Sequence, residues 1–170
     1  MKLCRVGEPG LEKPAIIDKD DKIRDLSTIV SDLNPKTLNF ETIDKINAIN
    51  LNDLKEINPD LRMGPCVGNP SKFLGIGLNF KDHALEQNLP IPDEPIIFSK
   101  FTNCVCGPND DIEIPKGSEH TDWEVELGFV IGKKAKYISE NEALKYVLGF
   151  FLVNDVSERN FQKKKRSHLG

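Results

Sequence analysis

The feature that most limits the fold is punctuation: short apolar runs, each cut off by glycine, proline or a polar turn. Twelve glycines and eleven prolines are spread over 170 residues, which leaves few segments long enough for a helix of average length. Pieces such as Lys72-Phe73-Leu74-Gly75-Ile76-Gly77-Leu78, Ile96-Ile97-Phe98 and Phe150-Phe151-Leu152-Val153 read instead as strands. Many short strands with few helices predict a β-rich α+β fold.

Taken in order, residues 3–6 and 14–17 read as strands, and the polar tip Asp18-Lys19-Asp20-Asp21-Lys22 turns the second into a hairpin with Ile23. Residues 26–33 suggest a short helix started by Ser27. Phe40, Ile43, Ile46 and Ile49 recur every three residues and predict one from Asn39. Asn79 is suited to capping a helical turn over 80–87, and Pro90, Pro92 and Pro95 make the following loop irregular. Further strands are expected at 104–106 and 112–114, on either side of a Gly107-Pro108-Asn109-Asp110 turn. Ser139-Glu140-Asn141-Glu142 has the form of a capping box and predicts a helix of two to three turns. Ser157 is expected to cap a final helix. The breaker-rich Gly64-Pro65-Cys66-Val67-Gly68-Asn69-Pro70 is the best boundary, dividing the chain into a small α+β N-terminal domain (1–70) and a second domain (71–170).

Composition narrows the class. Hydrophobic residues make up 38% and charged residues 29%, as in ordinary soluble domains. A net charge of −4 gives no reason to expect a nucleic acid or membrane surface as partner. The basic run Lys163-Lys164-Lys165-Arg166 reads as a solvated helix face. The N-terminus lacks an apolar segment of signal-peptide length, and no window is long enough to span a bilayer. A cytoplasmic location, or a soluble organelle lumen, is therefore expected. Cysteines at 4, 66, 104 and 106 form no C-x₂-C pair and read as reduced thiols.

Three acidic positions could carry chemistry. In Asp122-Trp123-Glu124-Val125-Glu126-Leu127, Glu124 and Glu126 would share one face of a strand. They would repel each other unless a cation lay between them, and hard divalent cations prefer carboxylate oxygens. The alternative is a solvent-exposed start of a strand, with Trp123, Val125 and Leu127 facing the core. Asp155, after a continuous apolar run, either completes a three-carboxylate set or caps the following turn. His83 and Glu86 are neighbours on a helical turn, either a base with its orienting acid or a surface pair. Gly75-Ile76-Gly77 is no dinucleotide fingerprint, because Phe80 stands where the third glycine belongs.

Several stretches in order resemble the fumarylacetoacetate hydrolase family. They are Gly75-Ile76-Gly77-Leu78-Asn79-Phe80-Lys81-Asp82-His83 with Glu86, Glu94-Pro95-Ile96-Ile97-Phe98-Ser99-Lys100, and Cys106-Gly107-Pro108-Asn109-Asp110. Trp123-Glu124-Val125-Glu126-Leu127 and Asn154-Asp155-Val156-Ser157-Glu158-Arg159 with Gln162 continue the series. The resemblance is greatest to members labelled ureidoglycolate lyase or 2-hydroxyhepta-2,4-diene-1,7-dioate isomerase. It implies a mixed β-sandwich roll that holds Mg²⁺ or Mn²⁺ through Glu124, Glu126 and Asp155. It also implies a small 2-oxo or 2-hydroxy acid as substrate, of ureidoglycolate, acylpyruvate or oxaloacetate type, which would chelate the metal as a Lewis acid. His83 and Glu86 would be catalytic, Lys100, Arg159 and Gln162 substrate-binding, and residues 80–95 a lid. A homodimer is implied for the full-length protein. Two departures stand out: Phe80 replaces the family's usual tyrosine, and the family's catalytic domain continues beyond position 170. The sequence therefore reads as an incomplete catalytic domain, with a catalytically inactive fragment or binding protein as the alternative.

Overall fold

The computed structural model describes residues 1–164. Lys165, Arg166 and His168 lie outside the described residues. In chain order the strands are β1 (Lys2–Val6), β2 (Lys13–Ile17), β3 (Ile23–Asp25), β4 (Met63–Gly64), β5 (Phe73–Gly77), β6 (Ile96–Lys100), β7 (Thr121–Asp122), β8 (Val125–Ile131), β9 (Val147–Asn154) and β10 (Ser157–Glu158). The α-helices are α1 (Phe40–Asn47), α2 (Lys81–Glu86) and α3 (Arg159–Lys164). Among the described residues no helix is long and apolar enough to cross a membrane. The chain forms two compact units, and each is drawn from separate stretches. The first comprises Met1–Pro70, Val105–Glu113 and Val125–Asn154; the second comprises Ser71–Cys104, Ile114–Glu124 and the residues from Asp155 on.

In the first unit an antiparallel sheet runs β3-β2-β1-β4. Strand alternation sends Cys4, Val6, Ala15 and Ile23 into one cluster. Ile16 packs instead with Leu26, Val30, Leu33 and Ile46. The β2–β3 tip is held by Asp18, whose Oδ1 accepts from the Asp20 and Lys22 amides at 2.9 and 3.0 Å. Its Oδ2 accepts from Arg24 Nε at 2.9 Å. The helix expected from Asn39 is α1: Asn39 Oδ1 accepts from the Thr42 amide at 2.9 Å, and Ile46 is the buried anchor.

The helix expected over 26–33 is not formed. Asp25 Oδ1 takes the Ser27 amide at 2.7 Å and Asp32 Oδ1 takes the Leu33 amide at 2.8 Å. These side chains offer the backbone turns in place of a helix, and the β-branched Thr28, Ile29 and Val30 disfavour helix as well. The predicted helix after Ser139 is also absent, replaced by a 3₁₀ segment, Glu140–Tyr146. The Ser139 hydroxyl donates to the Glu142 carboxylate at 3.4 Å and caps no amide of the segment. Leu144 is 76% exposed, leaving no buried face to stabilise an α-helix.

A chain of ion pairs crosses the first unit. Arg5 Nε donates to Asp32 Oδ1 at 2.7 Å, and its Nη2 to Glu12 Oε2 at 3.3 Å. Arg62 Nη1 donates to Glu12 Oε1 at 3.0 Å, and its Nε to Asp110 Oδ1 at 2.7 Å. Asp110 Oδ2 in turn accepts from the Gly107 amide at 2.6 Å, which closes the expected turn. Only glycine fits there, because a Cβ at 107 would lie 2.2 Å from the Met63 carbonyl oxygen.

Also in this unit, β8 pairs with β9, placing Leu127 opposite Leu152 and Phe129 opposite Phe150. One face of that hairpin is open: Leu127 is 60% and Leu152 81% exposed. Lys133, past the end of β8, places its ammonium 4.4 Å from the Tyr146 ring centroid and 5.6 Å from that of Phe40 on α1.

In the second unit β5 pairs with β6, and Gly75 lies opposite Phe98. A Cβ at Gly75 would sit 2.3 Å from Phe98 Cζ. The glycine thus makes room for a cross-strand aromatic, which gives the Gly75-Ile76-Gly77 stretch a packing role. The helix α2 begins at Lys81 with Phe80 in the N-cap position and no side-chain cap, so Asn79 does not cap it. Strands expected at 104–106 and 112–114 are absent; Thr102–Cys104 is a 3₁₀ turn. Neither stretch finds a partner strand among the described residues, and an unpaired extended segment has no ladder to stabilise it.

Candidate functional site

The site-forming residues of the second unit come together through backbone pairing. The strands β7 and β10 are antiparallel, with Ser157 opposite Asp122 and Glu158 opposite Thr121. Beyond that register the Asp155 amide donates to the Glu124 carbonyl at 2.8 Å and the Arg159 amide to the His120 carbonyl at 2.9 Å. Glu158 secures the junction by accepting from the Thr121 hydroxyl at 2.9 Å and from the Ser118 hydroxyl. The hydrogen bonds of Ser118 and Thr121 hold the Glu158 carboxyl below its usual range. Two segments far apart in sequence are thereby locked side by side, one carrying Asp122 and Glu124, the other Asp155 and Arg159.

Three acids at this junction, Asp122, Glu124 and Asp155, each meet a basic side chain. Lys100, the last residue of β6, donates its ammonium to Asp155 Oδ1, and both residues are buried. Burial pulls the Lys100 ammonium below its ordinary pKa, while the Glu124 carboxylate works against that shift. Arg159 donates from Nε and Nη2 to Asp122 Oδ2 at 3.0 and 2.9 Å, from Nη2 to Glu124 Oε1, and from Nη1 to Gln162 Oε1 at 3.3 Å. The guanidinium holds Asp122 below the usual carboxylate range.

His83 and Glu86 sit one helical turn apart on α2, with Nδ1 3.8 Å from Glu86 Oε2. That is too long for a hydrogen bond, and the Glu86 side chain is 77% exposed. Glu126 belongs to the first unit, where it is half-buried on β8 opposite Val153. Glu124 precedes β8 instead of lying within it. Trp123 is 72% and Val125 64% exposed, so the reading that turned Trp123, Val125 and Leu127 toward a core is corrected. The alternation is kept with its sense reversed: Glu124 and Glu126 lie on the half-buried side and the apolar residues on the open one.

The carboxylate oxygens of Glu124, Glu126 and Asp155 are donors of the kind that a hard divalent cation takes. Their arrangement is a different matter: among the described residues no three His, Cys, Asp or Glu side chains are grouped to hold a metal ion. Within the second unit, Asp155 is engaged by Lys100 and Glu124 by Arg159.

One residue at the junction escaped the sequence reading. Asp122 receives two of Arg159's N–H groups. Its only signal was position, two residues before Glu124 in the same acidic alternation.

Comparison with known proteins decides the family. The description "Fumarylacetoacetate (FAA) hydrolase C-terminal" matches residues 72–170. The chain belongs to the fumarylacetoacetate hydrolase family. A Burkholderia cenocepacia relative, provisionally named a hydrolase, is 52% identical over 162 residues, which cover 95% of this chain and 57% of that protein. The chain thus spans little more than half the length of this family relative. Fumarylacetoacetate hydrolase from Exiguobacterium antarcticum superposes with a TM-score of 0.75 at 22% identity, covering 99% of this chain and 60% of that one. Maleylpyruvate hydrolase from Sphingobium sp. SYK-6, solved with manganese(II) and pyruvate, gives a TM-score of 0.75 at 19% identity, covering 94% and 60%. These likenesses establish a β-rich α+β fold of the family type.

Proposed function

We propose that this chain supplies the metal-binding part of a hydrolase or lyase acting on a small 2-oxo or 2-hydroxy acid. Ureidoglycolate, acylpyruvates and oxaloacetate are the candidate substrates. The observation that carries the reading is the Glu124–Asp155 junction, where a 2.8 Å backbone hydrogen bond sets two acidic residues beside each other with Lys100 and Arg159 at hand. Family membership supports it, as does the manganese and pyruvate held by one fold neighbour.

In this reading Glu124, Glu126 and Asp155 are the ligands of a divalent cation, Mg²⁺ or Mn²⁺. His83, steered by Glu86, moves a proton near neutral pH, a contribution typically worth about 10²–10⁴-fold. Lys100, Arg159 and Gln162 donate to, or orient, the oxygens of the substrate. The expected setting is a cytoplasmic homodimer.

The test is calorimetric titration of the purified full chain with Mn²⁺, followed by turnover assays on the three substrate types. Binding that is lost in Glu124→Gln, together with metal-dependent turnover, is the expected result; Mn²⁺ binding that ignores Glu124 would sink the reading. A second reading, a binding protein without turnover, is favoured by the open apolar face of the β8–β9 hairpin. It predicts Mn²⁺ binding with no activity on any of the three.

A further inference from the structure

Strand pairing brings Asp122 and Arg159 together. Asp122 on β7 lies opposite Ser157, and the Arg159 amide extends the ladder to the His120 carbonyl at 2.9 Å. Arg159 is thus two residues beyond Ser157, the diagonal position, which a long side chain can reach across an antiparallel pair. The contact is held at both ends. Asp122 Oδ1 accepts from the Trp123 amide at 3.0 Å, which fixes the carboxylate. Its Oδ2 accepts from Arg159 Nε and Nη2 at 3.0 and 2.9 Å.

The guanidinium, with its five N–H groups, is nearly used up. Nε gives its N–H to Asp122, Nη2 gives to Asp122 and Glu124, and Nη1 gives one N–H to Gln162 Oε1 at 3.3 Å. Among the described residues one Nη1 N–H is left over. Gln162 accepts through Oε1, so its Nε2 keeps both N–H groups; turned over, the amide would set N–H against N–H. We infer that Asp122 is a positioning residue, fixing the Arg159 plane so that one Nη1 N–H and the Gln162 carboxamide form a donor pair for a single oxygen of a bound acid. The inference rests on the substrate-binding role proposed above for Arg159 and Gln162, and it adds the residue that sets their geometry. Such a pair favours a one-oxygen contact over the two-pronged clasp that arginine often makes on a carboxylate.

A partly exposed ion pair usually contributes little, and the Asp122 side chain is 47% exposed. This one differs because acceptors on Asp122, Glu124 and Gln162 all engage one guanidinium. A planar fork held at several points has little freedom to turn.

Asp122→Asn removes the charge and one acceptor, since a single amide oxygen cannot serve both the Trp123 amide and Arg159. Asp122→Glu keeps the carboxylate. Reaction of Arg159 with phenylglyoxal, an arginine-selective dicarbonyl, is followed on the full chain by mass spectrometry. In Asp122→Asn it should be about tenfold faster, the scale of one lost hydrogen bond to a charged group, and in Asp122→Glu close to the wild-type rate. An unchanged rate in Asp122→Asn overturns the inference. So does equal acceleration in Glu158→Gln, which loosens the same β7–β10 junction without touching the fork. In wild type a held Arg159 reacts more slowly than free arginine; an equal rate overturns the inference with no variant at all.

Turnover of ureidoglycolate, acetylpyruvate and oxaloacetate separates this idea from the reading it rests on. Loss of a donor pair that grips ground state and transition state alike should raise KM about tenfold in Asp122→Asn and leave kcat within about twofold. A fall in kcat at unchanged KM overturns the positioning role. If wild type turns over none of the three, the proposed function falls and the donor pair falls with it, while the phenylglyoxal rate still decides whether Asp122 holds Arg159.

Discussion

Arg62 grips Asp110 across 48 positions of sequence, with Nε on Oδ1 at 2.7 Å, and through it holds the Gly107–Asp110 turn against the N-terminal sheet. The same guanidinium engages Glu12, and Arg5 continues the series to Asp32. A motif that looked like a family signature thus has a structural task.

The pairing makes folding sensitive to acid. Arg62 holds Asp110 below its usual carboxylate range. For Glu12 and Asp32 burial works to raise the pKa, but hydrogen bonds from Arg62 and Arg5 outweigh it and both end low. Groups depressed in the folded state stabilise it fully above their unfolded pKa, and that contribution fades as pH falls through the folded value. The urea midpoint should therefore fall from about pH 4.5 downward, and Arg62→Met should flatten the decline. An unchanged slope in the variant would remove this network from the explanation.

Gly107→Ala should destabilise the first unit by about 1–3 kcal/mol, the usual range for overpacking a tight site. The obstacle is the Met63 backbone carbonyl, 2.2 Å from the new carbon, and backbone cannot swing aside as a side chain can. Thermal unfolding of the variant measures it; a melting temperature equal to wild type would mean the turn relocates freely.

Gly75→Ala meets a ring instead of backbone, since the new carbon would lie 2.3 Å from Phe98 Cζ. We expect a similar loss of about 1–3 kcal/mol, partly recovered in Gly75→Ala/Phe98→Leu, where the ring is gone. Additive losses in the double variant would show that the two positions do not compete for the same space.

The open face of β8–β9 should drive self-association. Contiguous exposed apolar side chains on a two-stranded sheet invite a partner. Replacing Leu127 and Leu152, which are 60% and 81% exposed, with threonine should shift sedimentation toward monomer at micromolar concentration with little change in thermal stability. A sedimentation profile identical to wild type would place the association elsewhere.

Much of the fold was legible where local chemistry acts alone. The Asp18 turn and the Asn39 cap follow from side chains bonding to nearby amides. The helix read over 26–33 failed because Asp25 and Asp32 bond the same backbone in turns, and the Ser139 helix failed because Leu144 has nothing to pack against. Family resemblance supplies the candidate residues, among which the second unit pairs Lys100 with Asp155 and Arg159 with Glu124 and Gln162. The pairing of Lys100 with Asp155 was not legible in the sequence, because those positions lie 55 apart and only the β7–β10 junction places Asp155 where β6 ends. Asp122 was missed for the same reason: its role depends on Arg159, 37 positions away.

The first unit draws on three stretches and is not complete until Asn154, the last residue of β9, has been made. On the ribosome, the N-terminal sheet and both its buried clusters emerge early, and the rest of its unit follows only after residues 71–104 and 114–124, which belong to the other unit, have passed through the exit tunnel. Because domains usually fold as units during synthesis, this interleaving postpones both units to nearly the same moment. Neither can be liberated by cutting the chain once, and a chaperone that shields nascent apolar strands would have most to do in the interval before β9 arrives.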